Sequence, residues 1–206
     1  MGFIDIPLRK IGIDRGGVAR HKSSAMKPTL ALAALASLAL AAAPAHATLS
    51  KGAKAPAFVA KGAQAGKPIT FDLAQALKKG PVVLYFFPAA FTPGCNIEAE
   101  TFAEAMPRFQ AAGATVIGVT AGNVDQLEDF SAKKCAGKFP VAAASAKMKA
   151  DYDVDLKKPD GSSSGVTSRT TYVIGKNGKI AMVYSAMQPG EHVSNSLAAL
   201  QALKKG

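Results

Sequence analysis

The stretch VVLYFFPAAFTPGCNIEAE, residues 82–100, indicates the fold class and contains one of the two cysteines of the chain. Its first six residues are apolar and mostly β-branched or aromatic, which predicts a strand buried on both faces, as in a parallel sheet. A helix is predicted over 95–112, ended by Gly113. Cys95 would then lie in the first turn of a helix, beyond the carboxyl end of a strand, where open α/β sheets bind ligands.

The rest of the chain continues the alternation of strand and helix patterns. Their order predicts an α/β sandwich with a mixed sheet. We expect a loosely held lead-in at 48–67 and a polar loop at 155–168. The other predicted elements are helices within 69–80, 123–138 (with Asn123 as N-cap), 145–152 and 191–205, strands at 114–120 and 139–144, and a hairpin at 169–185 that turns at Asn177-Gly178.

The N-terminal segment MKPTLALAALASLALAAAPAHA, residues 26–47, has the pattern of a secretory signal peptide, with a lysine, an uncharged run and an A-x-A cleavage signal. The apolar run is shorter than the ~20 residues of a membrane-spanning helix, which favours cleavage over an uncleaved anchor. Residues 1–25 are interpreted as a misassigned start or an extended n-region. The mature chain, 48–206, is expected to be one exported domain, periplasmic or secreted, with no stable membrane association.

The charge balance is basic, with 25 Lys and Arg against 14 Asp and Glu. After residue 47 the counts are 19 and 12, which leaves a net charge of +7 on the mature chain. The basic residues are mostly single or paired lysines, without an arginine-rich stripe interleaved with aromatic residues. This pattern favours a solvated lysine surface over nucleic acid binding.

The chain has two cysteines, Cys95 and Cys135, and no C-x-x-C, and the mature part has one histidine, His192. This inventory predicts neither a disulfide scaffold nor a metal site, and no cofactor is expected. Unpaired N–H groups and the positive end of the helix dipole would stabilise a thiolate at Cys95, which makes it a candidate nucleophile. On position alone, a buried structural cysteine is an equally good interpretation.

A motif around Cys95 separates these interpretations. Pro88, Thr92 and Cys95 spell P-x-x-x-T-x-x-C, which resembles the active-site signature of peroxiredoxins. FTPGC followed by Glu98 most resembles the branch named for bacterioferritin comigratory protein, also called Q-type, among the AhpC/TSA-like thiol peroxidases.

The resemblance extends over about 56–203, nearly the whole predicted mature domain. SRTTYVIGKNGKI, residues 168–180, is similar to the family segment in which an arginine opens a strand that leads to a tight hairpin. FSAKKCAGKFPVA, residues 130–142, resembles the family's passage from a helix to a strand.

The resemblance implies a thioredoxin-like fold, a three-layer sandwich with a mixed β-sheet flanked by helices, and a thiol peroxidase. Cys95 would be the peroxidatic cysteine, Thr92 and the Cys95 N–H would hold the peroxide, and Arg169 would stabilise the thiolate and the transition state. Pro88 would shield the pocket. Glu98 would orient the arginine or serve only as a helix-dipole partner. Without the motif, Thr92 would be an N-cap, Pro88 the end of a strand and Arg169 a surface residue.

The sequence departs from the family at the resolving position. Many Q-type members carry a second cysteine five residues after the first, and here that residue is Glu100. Cys135 is the only other thiol and is predicted to resolve the Cys95 sulfenic acid as an intramolecular disulfide, for which the helices would have to loosen. The alternative is a one-cysteine enzyme that uses an external thiol. In either case a thiol or thioredoxin-like reductant must return the enzyme to its reduced state.

Three other functions compete with this interpretation. A thioredoxin-like disulfide reductase needs C-x-x-C, which is missing. A cysteine hydrolase needs a base beside Cys95, and His192, expected to be a surface or helix-terminal residue, is the sole candidate. A non-catalytic binding domain of the same fold offers no reason for Thr92, Cys95 and Arg169 to occur together.

Overall fold

A mixed sheet of seven strands is the frame of the computed structural model, which describes residues 49–205. The predicted signal peptide at 26–47 and the preceding residues 1–25 lie outside the described part. Within 49–205, no helix has the length and apolar character needed to cross a membrane.

Between residues 49 and 205 the chain forms nine strands and five α-helices. The strands are β1 (Val59–Gln64), β2 (Lys67–Asp72), β3 (Val82–Phe86), β4 (Thr115–Thr120), β5 (Val141–Ala143), β6 (Asp155–Lys157), β7 (Ser163–Thr167), β8 (Thr170–Ile174) and β9 (Ile180–Ser185). The helices are α1 (Leu73–Lys79), α2 (Pro93–Ala111), α3 (Leu127–Lys133), α4 (Ala146–Asp151) and α5 (His192–Lys205).

The strand order in the large sheet is β2-β1-β5-β4-β3-β8-β9. The central strands β5, β4 and β3 run parallel, and the pairs on either side are antiparallel. Strands β6 and β7 form a separate antiparallel hairpin. The mixed sheet predicted from the sequence is therefore confirmed.

The central strand β3 shows how the sheet divides two hydrophobic cores. Its five residues are all buried, and they alternate between the faces. Val83 and Tyr85 pack in one core with residues of α2, α3 and α5. Val82, Leu84 and Phe86 pack in the other with residues of α1 and α4. Helices thus cover both faces, and the expected three-layer sandwich is present.

The predicted loose lead-in at 48–67 is wrong in its second half, which contains β1 and the first residue of β2. β1 pairs antiparallel with both β2 and β5. Strands β1 and β2 are joined at Ala65 and Gly66, whose φ angles of 51° and 75° are left-handed. An Ala-Gly pair carries a weaker turn signal than Asn-Gly, and the alanine-rich strand carries little hydrophobic pattern. Its pairing partners, not its own composition, make it a strand.

Two further predictions are corrected by the structure. The helix expected over 123–138 is a 3₁₀ turn, Val124–Gln126, followed by the shorter α3. Asn123 occupies the N-cap position of this turn but makes no side-chain capping bond: its φ is 54° and its side-chain amide donates to the Ala90 carbonyl oxygen over 2.8 Å. The polar loop at 155–168 contains the β6–β7 hairpin, whose residues are mainly Asp, Lys, Ser, Gly and Thr and so lack an apolar strand pattern.

Candidate active site

Cys95 is the third residue of α2, as predicted in the first turn, and is 1% exposed. Thr92 is the N-cap, and Pro93 opens the helix where a missing N–H costs nothing. The Thr92 hydroxyl does not cap the helix, since it donates to the Ala89 carbonyl oxygen over 3.0 Å. The first backbone N–H groups of a helix have no intrahelical partner, so they are available beside the Cys95 sulfur.

The loop that precedes α2 is fixed to the end of β4. The Pro88 carbonyl oxygen accepts a hydrogen bond from the Thr120 hydroxyl over 2.9 Å. The Ala90 N–H donates to the Gly122 carbonyl oxygen over 3.2 Å. Pro88 therefore lies at the carboxyl ends of two parallel strands, where the sequence placed it. Sequence reasoning did not identify Thr120, which reads as an ordinary strand residue.

Arg169 reaches this edge of the sheet through strand pairing. It directly precedes β8, whose first residue, Thr170, is the register partner of Phe86 at the end of β3. Antiparallel pairing therefore brings Arg169 next to the loop that carries Cys95, 74 positions away in the chain. Arg169 is 4% exposed, so it is not the surface residue that would be expected without the motif.

The Arg169 guanidinium has a partner on each of its three nitrogens. Nε donates to the Met187 carbonyl oxygen over 2.9 Å, and Nη2 donates to the Cys95 sulfur over 3.4 Å. Nη1 forms an ion pair with Glu98 Oε2. Gly94 leaves room for this contact, because a Cβ there would lie 3.2 Å from Nη2. The guanidinium is held in one orientation, with one N–H directed at the sulfur.

Glu98 is fully buried on α2, one turn after Cys95, and is not an exposed partner of the helix dipole. Burial raises the pKa of its carboxyl to about 8, and the guanidinium of Arg169 opposes that rise. Among the described residues, its Oε1 has no hydrogen-bond partner. Its contact with the guanidinium fits the predicted orienting role.

His192 is the helix N-terminal residue that the sequence allowed, but it is buried here and is not at the surface. It is the first residue of α5, and its exposed fraction is zero. Its Nδ1 lies 2.7 Å from the Thr171 hydroxyl and 3.8 Å from Glu98 Oε1. Its Nε2 lies 2.9 Å from the Ala186 carbonyl oxygen. The sequence held no signal for this position, because a single histidine in a polar helix start is usually exposed.

Cys135 lies in a different part of the same core, in the turn after α3. Both cysteines are free thiols, and both are buried in the core that contains α2. Burial raises the pKa of the Cys135 thiol. The turn is attached to α2 by the Lys134–Glu100 ion pair at 2.9 Å and by the Lys138 ammonium, which donates to the Ala103 carbonyl oxygen over 3.0 Å.

Comparison with known proteins agrees with this geometry. A sequence model of the AhpC/TSA family matches residues 51–183. Chloroplastic peroxiredoxin Q of Sedum lineare is 34% identical over 162 residues, which is 77% of this chain and 81% of that protein. The structure of peroxidoxin BcpB from Mycobacterium tuberculosis superposes with a TM-score of 0.65 at 30% identity, over 75% of this chain and 98% of that one.

A third relative is bacterioferritin comigratory protein of Xanthomonas campestris, whose structures address its alkyl peroxide reduction activity. It superposes with a TM-score of 0.56 at 27% identity, over 69% of this chain and 90% of that one. A buried cysteine facing an arginine, on a fold shared with these proteins, defines a thioredoxin-like thiol peroxidase. The chain belongs to the AhpC/TSA family, and its relatives there include Q-type peroxiredoxins. The family, the fold and the peroxidase activity predicted from the sequence are confirmed, and the enzyme acts on peroxide with a thiol reductant.

Proposed function

We propose that Cys95 is the peroxidatic cysteine and that Arg169 is the group that activates it. The observation that carries the proposal is the 3.4 Å contact between Arg169 Nη2 and the Cys95 sulfur. The other two nitrogens of the guanidinium are bound by Glu98 and by the Met187 carbonyl oxygen. A permanent positive charge beside the sulfur favours the thiolate, which is the nucleophile.

In the proposed step the Cys95 thiolate attacks one oxygen of the peroxide. The S–O bond forms as the O–O bond breaks, the sulfur becomes a sulfenic acid, and the second oxygen leaves as hydroxide or alkoxide and takes up a proton. Sulfur is oxidised by two electrons and the peroxide is reduced by two. Negative charge develops on the leaving oxygen, where the Arg169 guanidinium and helix N–H groups can stabilise it.

Thr92 and Pro88 complete the proposed pocket. Because the Thr92 hydroxyl donates its proton to Ala89, its oxygen is left as an acceptor for the O–H of a peroxide. The Cys95 N–H would donate to the other oxygen. Pro88 has no N–H and its carbonyl oxygen already accepts from Thr120, so it adds neither a competing donor nor a free acceptor to the pocket.

The test compares peroxide consumption by purified wild type, Cys95→Ser and Arg169→Lys with a dithiol reductant. We expect no turnover by Cys95→Ser. Arg169→Lys keeps the charge but cannot contact three partners at once, so we expect a fall of about 10²- to 10³-fold. Full activity of Cys95→Ser would refute the proposal.

Cys135 is proposed to resolve the oxidised enzyme. The ion pair between Lys134 and Glu100 supports this, because it attaches the residue next to Cys135 to the helix turn that follows Cys95. After local loosening, the Cys135 thiolate would attack the Cys95 sulfenic sulfur. The S–S bond forms, the S–O bond breaks, and the hydroxide that leaves is protonated to water. A disulfide needs Cα atoms within ~7 Å, so the step requires the two residues to come within that distance.

Intact mass and free-thiol counts after one equivalent of hydrogen peroxide test this step in wild type and Cys135→Ser. Resolution predicts loss of both thiols and a mass decrease of about two daltons, the two hydrogens lost in the disulfide. A gain of about sixteen daltons with one thiol kept, from the added oxygen, would instead indicate a one-cysteine enzyme that uses an external thiol.

We further propose that the protein acts outside the cytoplasm, with residues 26–47 as a signal peptide and Thr48 as the first mature residue. The predicted cleavage signal supports this. Hydrogen peroxide and organic hydroperoxides are the proposed substrates, because partly buried, apolar Phe91 lies in the loop before Cys95 and the Xanthomonas campestris relative reduces alkyl peroxides. N-terminal sequencing of the protein from the exported fraction would refute the cleavage site if it began elsewhere.

A further inference from the structure

We propose that His192 is a positioning residue for the peroxide reaction, a neutral imidazole protonated on Nε2 that holds the backbone segment to which Arg169 is bound and so aims the guanidinium at Cys95. This inference rests on the proposed roles of Cys95 and Arg169. No contact between His192 and the sulfur is required.

The hydrogen bonds of His192 determine its protonated nitrogen. The Ala186 carbonyl oxygen can only accept, so the Nε2 that lies 2.9 Å away must carry a proton. Burial lowers the pKa of His192, which favours the neutral ring. A neutral ring has one proton, so Nδ1 is an acceptor and the Thr171 hydroxyl donates to it.

The Ala186 and Met187 segment connects this ring to Arg169. The Ala186 N–H donates to the Arg169 carbonyl oxygen over 3.2 Å, and the Met187 carbonyl oxygen accepts from Arg169 Nε over 2.9 Å. His192 binds the carbonyl oxygen between these two contacts. It therefore fixes the peptide that supports both the backbone and the side chain of Arg169.

Glu98 lies beside the ring but makes no hydrogen bond with it. Its Oε1 has no hydrogen-bond partner among the described residues and faces Nδ1 of His192 at 3.8 Å. An unprotonated Nδ1 offers that oxygen no donor, so the carboxylate keeps its interaction with Arg169 through Oε2. The charged or titratable groups around the ring are Glu98, Arg169, Glu191 and Tyr184, whose ring packs edge-on at 4.8 Å.

Three substitutions separate positioning from general support of the fold. His192→Gln can keep an N–H near the Ala186 carbonyl, whereas His192→Asn is polar but too short to reach it. Ser196→Ala is the matched control, because it removes a buried hydrogen bond to the His192 carbonyl oxygen inside α5 without touching Arg169. All three are made in the full chain with Cys135→Ser, so that only Cys95 reacts.

The measurements are the single-turnover rate with hydrogen peroxide and the pH profile of Cys95 alkylation by iodoacetamide. We expect His192→Asn to slow the reaction between about 10- and 100-fold and to shift the alkylation profile to higher pH, because the guanidinium is misplaced. We expect His192→Gln to restore most of the rate and the profile. Ser196→Ala should change neither.

Two results would overturn the inference. One is a His192→Asn variant with wild-type rate and profile, and the other is an equal loss in the Gln and Asn variants, since the Ala186 bond would then be irrelevant. If His192→Asn does not fold, His192→Gln alone decides the question. A folded Gln variant whose single-turnover rate falls tenfold or more contradicts the assignment. Loss of activity in Arg169→Lys with normal His192 variants would leave the proposed function intact, whereas peroxidase activity in Cys95→Ser would remove that function itself.

Discussion

Replacement of Arg169 by Met is the perturbation that best separates the stabilising and catalytic parts of this site. Methionine is apolar and unbranched, so it fills much of the space and removes the charge. The loss leaves buried Glu98 without its partner on Oε2, while Oε1 already has none among the described residues. Removal of one member of a buried ion pair costs about 3–5 kcal/mol, so we expect a loss of this size in the free energy of unfolding.

The size of the loss should depend on pH through Glu98. Without the guanidinium, nothing opposes the effect of burial, so its folded-state pKa rises above the value of about 8 in the wild type. The unfolded chain then binds fewer protons than the folded one above the ordinary pKa of the carboxyl, and stability falls as pH rises. The wild type shows the same decline up to about pH 8, where its Glu98 ionises and the decline levels off. In urea unfolding of the reduced protein, the deficit of the variant should therefore stay nearly constant between pH 5 and 7 and grow above about pH 8.

The double variant Arg169→Met, Glu98→Leu removes both charges. Replacement of a whole buried pair by apolar groups is often nearly neutral, so we expect most of the stability to return. The rate of peroxide reduction should stay about 10²- to 10³-fold below wild type, because no cation faces the Cys95 sulfur. Recovery of the rate together with the stability would refute the reasoning, since Arg169 would then serve only to neutralise Glu98.

Three other predictions concern the pH dependence of stability, the core and a helix cap. In the wild type, the free energy of unfolding should decline as pH rises from about 5 to 8, by up to ~1.4 kcal/mol per pH unit for one proton. Glu98→Gln should flatten this decline, as measured by urea titration. Gly118→Ala should cost about 1–3 kcal/mol in the same assay, because its Cβ would lie 2.7 Å from the Tyr85 ring and hydroxyl; wild-type stability would contradict this. Asp72→Ala should lower the melting temperature through loss of about 1 kcal/mol, because the carboxylate accepts from the N–H groups of Ala74 and Gln75 in the first turn of α1. Asp72→Asn should retain most of that stability.

The elements that could be predicted from the sequence are those whose own residues favour the conformation they adopt. β3 is uniformly apolar and buried, and the Thr-Pro pair before Cys95 marks the start of α2 within two residues. The Asn-Gly pair of the β8–β9 hairpin has the required left-handed glycine, Gly178, with φ of 75°. In each case the residue type itself carries the conformational preference.

The missed features depend on contacts between distant parts of the chain. β1 becomes a strand because β2 and β5 pair with it, and its alanines and glycine give no alternation to detect. The side chain of Asn123 bonds to Ala90 and does not cap a helix, and the residue adopts a left-handed conformation. His192 is buried because the end of β9 and Glu98 meet it, and no property of its own neighbours indicates that burial.

The distribution of the site along the chain has a consequence for biogenesis. The nucleophile is contributed by the helix that follows β3, whereas Arg169, Met187 and His192 come from the last 38 positions of the sequence. A partly synthesised chain therefore contains the thiol without the cation that is proposed to activate it. If Arg169 activates Cys95 as proposed, the oxidant-sensitive state of Cys95 would arise only once β8 has paired with β3, and the growing chain would be spared premature oxidation of this thiol.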